Sequence, residues 1–312
     1  MNQVGKIPLF VNPLSRINKL RKGKSIREFR EAGQGLVEVI APCSFDELDD
    51  AVARCRREGI SILAISGGDG SIHQVLTRFI REYGSDPLPP VLLLKDGTMN
   101  NISRTINLKG SGLSILKRYL ARVRRGDAIG TVPRNTLRIE DRYCFLFGNG
   151  LVTNVLDAVY DGGSKGLLKR IRVFARAIWE CASDTGTPRL FKRFHGRVAL
   201  DGSYLPCEDF IGVLAGTVET VGMGFSPLAP RHPGERSFHV IATALSPREV
   251  LRYFIRLKRG KPIPSPRHFY RHVSSLRMES PEGITYTMDG DLYHASGHVE
   301  VDIGPVVNLV YV

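Results

Sequence analysis

The chain has 312 residues, 42% hydrophobic and 24% charged, with a net charge of +13. Those proportions are ordinary for a folded soluble chain, and the length allows a sizeable core and two domains. No apolar run reaches the roughly 18 residues of a membrane span, and "MNQVGKIPLFVNP" lacks the apolar core and cleavage site of a signal peptide. A cytoplasmic protein is therefore expected, and its positive charge implies an anionic partner such as nucleotide, nucleic acid or a membrane surface.

The first part alternates strands and helices. Ile7–Asn12, Leu36–Ile40, Ser61–Ser66 and Val91–Lys95 are short, apolar and bounded by turns, as buried parallel strands are. Ser44 with Glu47 predicts a capping box for a helix closed by Gly59, with Leu48, Val52 and Cys55 on its apolar face. A second helix follows Gly70, with Ile72, Val75, Leu76 and Phe79 at helical spacing, and a third spans "GLSILKRYLARVRRG". This rhythm predicts a parallel α/β sheet with helices on both faces. After about Gly130 short strands with turn signals take over, from "NTLRIED" to "VVNLVYV". "ALDGSYL" reads as a hairpin. Two helices interrupt this antiparallel part, at Gly166–Ala182 and Pro247–Lys258. The five cysteines are odd in number and form no CxxC pair, so neither a disulfide framework nor a zinc site is expected.

The densest motif is "ILAISGGDGSIHQVL", Ile62 to Leu76. A strand that stops at glycines and restarts as a helix presents bare backbone N–H groups at a helix N-terminus, which suits a phosphate. A plain strand-to-helix turn is the simpler reading. Yet Gly67, Gly68 and Gly70 are more glycine than a turn requires, since each costs conformational entropy. Asp69 among them is then a candidate metal contact or general base. "NKLRKGKS" is not a Walker loop, because Asn18 stands at its first glycine position, and "GNGLVT" fails the Rossmann pattern at Thr153.

A second loop, "LLLKDGTMNNISR", follows the next strand. Gly97 and Thr98 end that strand, and Asn100 or Asn101 is a candidate cap for a short helix. In a parallel sheet both loops lie at one edge, where ligands bind. In "ITYTMDGDLY", Asp289 and Asp291 flank Gly290, and taken alone the stretch reads as a hairpin turn. "GGSKG" (Gly162–Gly166) matches a hydrolase nucleophile elbow. But an elbow needs a strand running into Ser164, and "VLDAVYDG" makes a poor one. His294 and His298 are separated by Ser296 and Gly297, and read as solvated loop residues rather than a metal pair.

Together, "FVNP", "GGDGSIHQV", "GTMNN" and "DGD" resemble, in order and spacing, the NPxSG, GGDGTxNE, GTGND and DGE motifs of the diacylglycerol kinase catalytic-domain family. That family includes sphingosine and ceramide kinases and small bacterial lipid kinases. NAD kinases also carry GGDGT, but their NxGxLGFL segment is absent here; an NAD kinase-like activity is the alternative within the same superfamily. The resemblance covers essentially the whole chain. It implies an α/β N-terminal domain with a parallel sheet, of the NAD kinase and diacylglycerol kinase kind, followed by a mainly antiparallel β-sandwich domain. Residues 1–132 would form the nucleotide-binding domain, with strand 305–312 as its candidate completion, and residues 133–304 the lipid-substrate domain.

The resemblance further implies ATP and Mg²⁺ as cofactors, and transfer of the γ-phosphoryl group to a lipid hydroxyl. Nucleotide contacts would come from Asn12, Gly67, Gly68, Asp69, Gly70, Ser71, His73, Gly97, Thr98 and Asn100. Asp291 is the favoured proton acceptor and Asp69 the metal-side carboxylate, with the reverse assignment open. The chain departs from the family at Arg16, Ser71, His73, Gln74, Met99, Asn101 and Asp291, so a catalytically weak nucleotide- or lipid-binding relative is the second hypothesis. The helix at Gly166–Ala182 and "RLKRGK" (Arg256–Lys261) would touch an anionic membrane at its inner face. A homodimer is left open. Nucleic acid is not an expected partner, because no basic stretch is interleaved with aromatic residues.

Overall fold

The structure is a computed structural model, and it describes residues 6–13, 15, 23–97, 100–160, 191–222, 225–229 and 235–312. The chain divides into two compact units. The first comprises Met1–Thr136, Asp141–Tyr143 and Pro305–Val312, and the second Leu137–Glu140 and Cys144–Gly304.

In the first unit, β1 (Ile7–Val11), β2 (Val37–Ile40), β3 (Leu63–Gly67) and β4 (Val91–Lys95) lie parallel in the order β2-β1-β3-β4. The end of the last strand, β16 (Asp291–Tyr311), joins parallel beside β4, with Leu309 opposite Val91. The helices are α1 (Lys24–Gly33), α2 (Phe45–Glu58), α3 (Asp69–Tyr83), α4 (Asn101–Thr105) and α5 (Gly112–Arg125). Right-handed crossovers decide which face each helix covers. The step from β1 to β2 runs one way across the sheet, while β2 to β3 and β3 to β4 run the other. Hence α1 lies on one face, and α2 and α3 on the opposite one. The packing agrees: α2 contacts α3, and α1 contacts α5. Every residue of β1 and β3 is buried. Phe10 meets Phe79 edge-on at 5.4 Å, and Phe79 stacks on Tyr83 at 6.0 Å.

One local expectation needs correction. Ser44 caps α2 by accepting from Glu47 N–H, but the Glu47 carboxylate accepts from Cys43 N–H at 2.7 Å, one residue before the position a capping box uses. The sequence also gave no sign of α1. Its buried stripe is Ser25, Phe29 and Gly33, only one of which is a strong apolar signal.

The second unit is mainly antiparallel. It contains the remainder of β5 (Gly130–Ile139), the last residue of β6 (Arg142–Cys144), then β7 (Leu146–Asn149), α6 (Leu151–Tyr160), β8 (Phe194–His195), β9 (Arg197–Leu200), β10 (Ser203–Tyr204), β11 (Asp209–Phe210), β12 (Gly212–Gly216) and β13 (Phe238–Thr243). After these come α7 (Pro247–Arg252), α8 (Phe254–Lys258), β14 (His268–Val273) and β15 (Ser275–Met288). β15 and β16 form a long hairpin with an irregularity between Ser280 and Ile284. On one side of it Leu276–Glu279 pair with β9, and on the other Tyr286–Met288 pair with β7. The strand thus serves two sheet layers, which share a core that includes Phe147, Val198, Val240, Met278 and Tyr286. The "ALDGSYL" hairpin is present, with Asp201 and Gly202 both at positive φ.

The expected helix Pro247–Lys258 is two helices, divided where Tyr253 leaves helical geometry at φ −98° and ψ 10°. Residues 151–160, which a hydrolase elbow would need as a strand, are the helix α6. Ser164, Arg16 and the helix expected at Gly166–Ala182 lie outside the described residues. His294 and His298 stand exposed on β16 rather than in a loop.

Candidate functional site

The site is built where β3 and β4 end side by side. β3 runs to Gly67, Gly68 takes the N-cap position of α3 at φ −90° and ψ 179°, and α3 starts at Asp69. None of Gly67, Gly68 or Gly97 has positive φ, so backbone handedness is not why they are glycine. Close approach is. A Cβ on Gly97 would collide with Gly68 Cα and lie 2.9 Å from Gly68 N, and a Cβ on Gly67 would lie 2.6 Å from Ser71 Cβ. The two loops therefore pack backbone against backbone.

Polar side chains tie this pair together. Asn12 Nδ2, at the end of β1, donates to Ser71 Oγ at 3.2 Å. Ser66 Oγ donates to Asp96 Oδ2 at 2.5 Å, linking the ends of β3 and β4. Asn100 is left-handed (φ 50°, ψ 45°) and folds back on its own loop: its Oδ1 accepts from Gly97 N–H at 3.0 Å and its Nδ2 donates to Gly97 O at 2.8 Å. It occupies the cap position of α4 without capping it. Thr98 lies outside the described residues.

Asp69 caps α4 instead. Its Oδ2 accepts from Asn101 N–H at 3.0 Å across the two loops. The carboxyl is only 8% exposed, and burial pushes it up to about 6, partly offset by the Asn101 and Ile102 amides and by Arg104. Its second oxygen, Oδ1, is buried with no partner at hydrogen-bond geometry, and so is Asn101 Oδ1. A buried acceptor left open carries a desolvation cost. In this place, beside the first turn of a 15-residue helix, it suits a cation or a donor brought by a ligand.

His73 goes elsewhere. It is 1% exposed and its Nδ1 donates to Tyr143 O at 2.7 Å. Thr77, one turn on, donates to the same oxygen at 3.2 Å and accepts from Tyr143 N–H at 3.1 Å. The pair holds the Tyr143 backbone at both its carbonyl and its N–H. Lys95 also turns inward, donating to Leu108 O at 2.7 Å. Sequence reasoning missed Ser66, Asp96 and Tyr143. Ser66 and Asp96 do stand beside the glycine motifs, a signal that was available, whereas Tyr143 is reached only through the fold.

The late motif belongs to the second unit. Asp289 (φ 49°) and Gly290 (φ 98°) form the two-residue turn between Met288 and Asp291, the conformation that Asp-Gly favours in hairpins. Asp289 is 6% exposed, and its carboxylate accepts from Leu146 N–H at 2.9 Å and Phe145 N–H at 3.1 Å. Asp291, partly exposed, opens β16. Replacing Asp289 by Ala would strand two buried amides, so an Asp289→Ala variant should lose about 2–4 kcal/mol in denaturant unfolding. A cleft of about 490 Å³ beside Arg197 and Arg277 is also in this unit, but Glu279 pairs with both guanidiniums, so it offers little uncompensated charge.

A parallel α/β unit whose neighbouring strand ends meet through glycines at a helix N-terminus suits a phosphate-bearing ligand. Residues 6–132 match the model of the diacylglycerol kinase catalytic domain, so this segment of the chain belongs to that domain family. No curated protein matches the sequence. Among solved structures, one from Bacillus anthracis str. Sterne assigned as a diacylglycerol kinase superposes with a TM-score of 0.70 at 14% identity, covering 100% of this chain and 99% of that one. A second from the same organism gives 0.66 at 13% identity, covering 100% and 98%. At these identities the likeness is one of fold.

Proposed function

We propose that the chain is an ATP-dependent lipid kinase that transfers the γ-phosphoryl group to a lipid hydroxyl of the diacylglycerol, ceramide or sphingoid-base type. The observation that carries this reading is the backbone contact of Gly68 with Gly97 beside the open Asp69 Oδ1. A phosphate would be met there by the free amides that start α3. Phosphoryl transfer needs positioning and charge neutralisation more than covalent help, and a notch of this kind supplies positioning.

Among the described residues no three His, Cys, Asp or Glu side chains converge on a metal site. Mg²⁺ in kinases is commonly held by one or two carboxylates plus the substrate phosphates, and a single Asp69 fits that pattern. Bound there, Mg²⁺ would shield the phosphate charge. Asn12 and Ser71 would hold the β1 end of the notch, Gly67, Gly68 and Gly70 would offer amides, and Asn100 would keep Gly97 in place. Asp291 is the candidate for taking the hydroxyl proton, on the strength of its motif position. We assign the protein to the cytoplasm, at the anionic inner face of a membrane.

One observation favours the second reading, a weakly active relative. Asp69 caps α4, a structural task it would keep without catalysis. The test is radiolabelled ATP with Mg²⁺ and a lipid panel of diacylglycerol, ceramide, sphingoid base and phosphatidylglycerol. Label should move to at least one. Transfer to none of them would overturn the kinase reading.

A further inference from the structure

The pair α7 and α8 has one face fixed and one face open. Val250 is buried in an apolar cluster with Ile211, Leu245 and Ile263, and Leu251 and Leu257 pack on it. Behind α8, Ser226 N–H donates to Lys258 O at 2.9 Å and Phe225 meets Phe254 edge-on at 5.4 Å. The inner face is thus anchored to its own unit, so the outer one is presented in a defined orientation.

That outer face is basic. Residues 246–267 contain seven Lys and Arg and a single acid, Glu249. The acid is turned to structural use: its carboxylate accepts from Ser246 N–H at 2.8 Å and pairs with Arg267 at 2.6 Å. Arg252 at the end of α7, Arg256 in α8, Arg259 just past it and Lys261 are all exposed. Arg256 reaches the Pro262 carbonyl at 2.8 Å, a neutral partner that leaves its charge uncompensated. Among these cations stands Ile255, 57% exposed.

An apolar side chain in a ring of guanidinium and ammonium groups matches the requirements of a bilayer interface. The cations meet anionic headgroups, and the apolar group enters the acyl boundary. A nucleic acid would use the charge and have no use for Ile255. We infer that the α7–α8 face is the surface by which this protein docks on an anionic lipid bilayer. From the lipid-kinase reading the inference takes only that the substrate resides in a membrane.

The experiment is sedimentation of the full chain with phosphatidylcholine vesicles, with and without phosphatidylglycerol, and without ATP. The wild type should bind the phosphatidylglycerol vesicles selectively and be released by high salt. Arg252→Gln, Arg256→Gln and Arg259→Gln combined should weaken partitioning about a hundredfold, at about fivefold per charge. Ile255→Ser should weaken it about fivefold to tenfold. This second variant changes only an exposed side chain, so it tests the surface even if the triple variant folds poorly. No selectivity by the wild type overturns the proposal. So does wild-type binding by the Ile255 variant, which would mark a purely electrostatic surface. Because no nucleotide is present, a protein that phosphorylated none of the lipids would still bind, and the two readings fail separately.

Discussion

Replacing Asp69 by Asn should make the protein more stable above pH 6 and, if the kinase reading holds, lower phosphoryl transfer by about 10²–10⁴-fold. The stability gain follows from burial. The folded carboxyl is raised to about 6, against an ordinary value of 3.8. A carboxyl raised by folding binds its proton more tightly in the native state. Its ionisation therefore costs stability as pH rises from about 4 to about 6, and the cost is constant above that. At about 1.4 kcal/mol per pH unit the cost at pH 8 is about 3 kcal/mol. Asn removes it while keeping an oxygen that can accept from Asn101 N–H. Urea unfolding of both proteins at pH 8 and pH 4 should show the gain at the first and not at the second. A residue whose neutral replacement stabilises the fold but abolishes turnover is being kept for function at a stability cost. Unchanged transfer in a stabilised variant would instead leave Asp69 as the cap of α4 and nothing more.

Much of the first unit was legible in the sequence, because buried parallel strands and amphipathic helices write their burial as hydrophobic period. β1, β3 and β4 are continuous apolar runs, and α3 and α5 carry apolar residues at helical spacing. α1 was not legible because a serine and a glycine occupy two thirds of its buried stripe. α6 was not, because its first residues follow a strand without a polar cap. Of the site, the two loops and their shared edge were legible from glycine placement. What each glycine does was not. Gly68 and Gly97 are small for each other's sake, a relation between positions 29 residues apart. His73 lies in the same motif, and its Nδ1 partner, the Tyr143 carbonyl, stands 70 residues further along the chain. A motif records which residue types stand where, while the partner that commits a side chain comes from another part of the chain.

That relation between glycines makes Gly97→Ala the sharpest test of the loop geometry. The added methyl would meet Gly68 Cα and N, and Asn100 Oδ1 at 2.9 Å. Two of these atoms are backbone, so no change of rotamer relieves the collision. The loops must separate, and with them the Asn100 to Gly97 bonds and the Asp69 to Asn101 cap. Overpacking of this kind costs about 1–3 kcal/mol. The notch would open by a distance comparable to a hydrogen bond's tolerance, so affinity for a non-hydrolysable ATP analogue should fall at least about tenfold, the loss of one good hydrogen bond. Gly130→Ala is the control: nothing lies within 4 Å of its added Cβ, and its stability should stay within about 0.5 kcal/mol of wild type. Calorimetric titration and denaturant unfolding of both variants separate the outcomes. A destabilised Gly97 variant that binds the analogue normally would place the nucleotide away from this notch, and a variant with wild-type stability would mean the two loops do not touch.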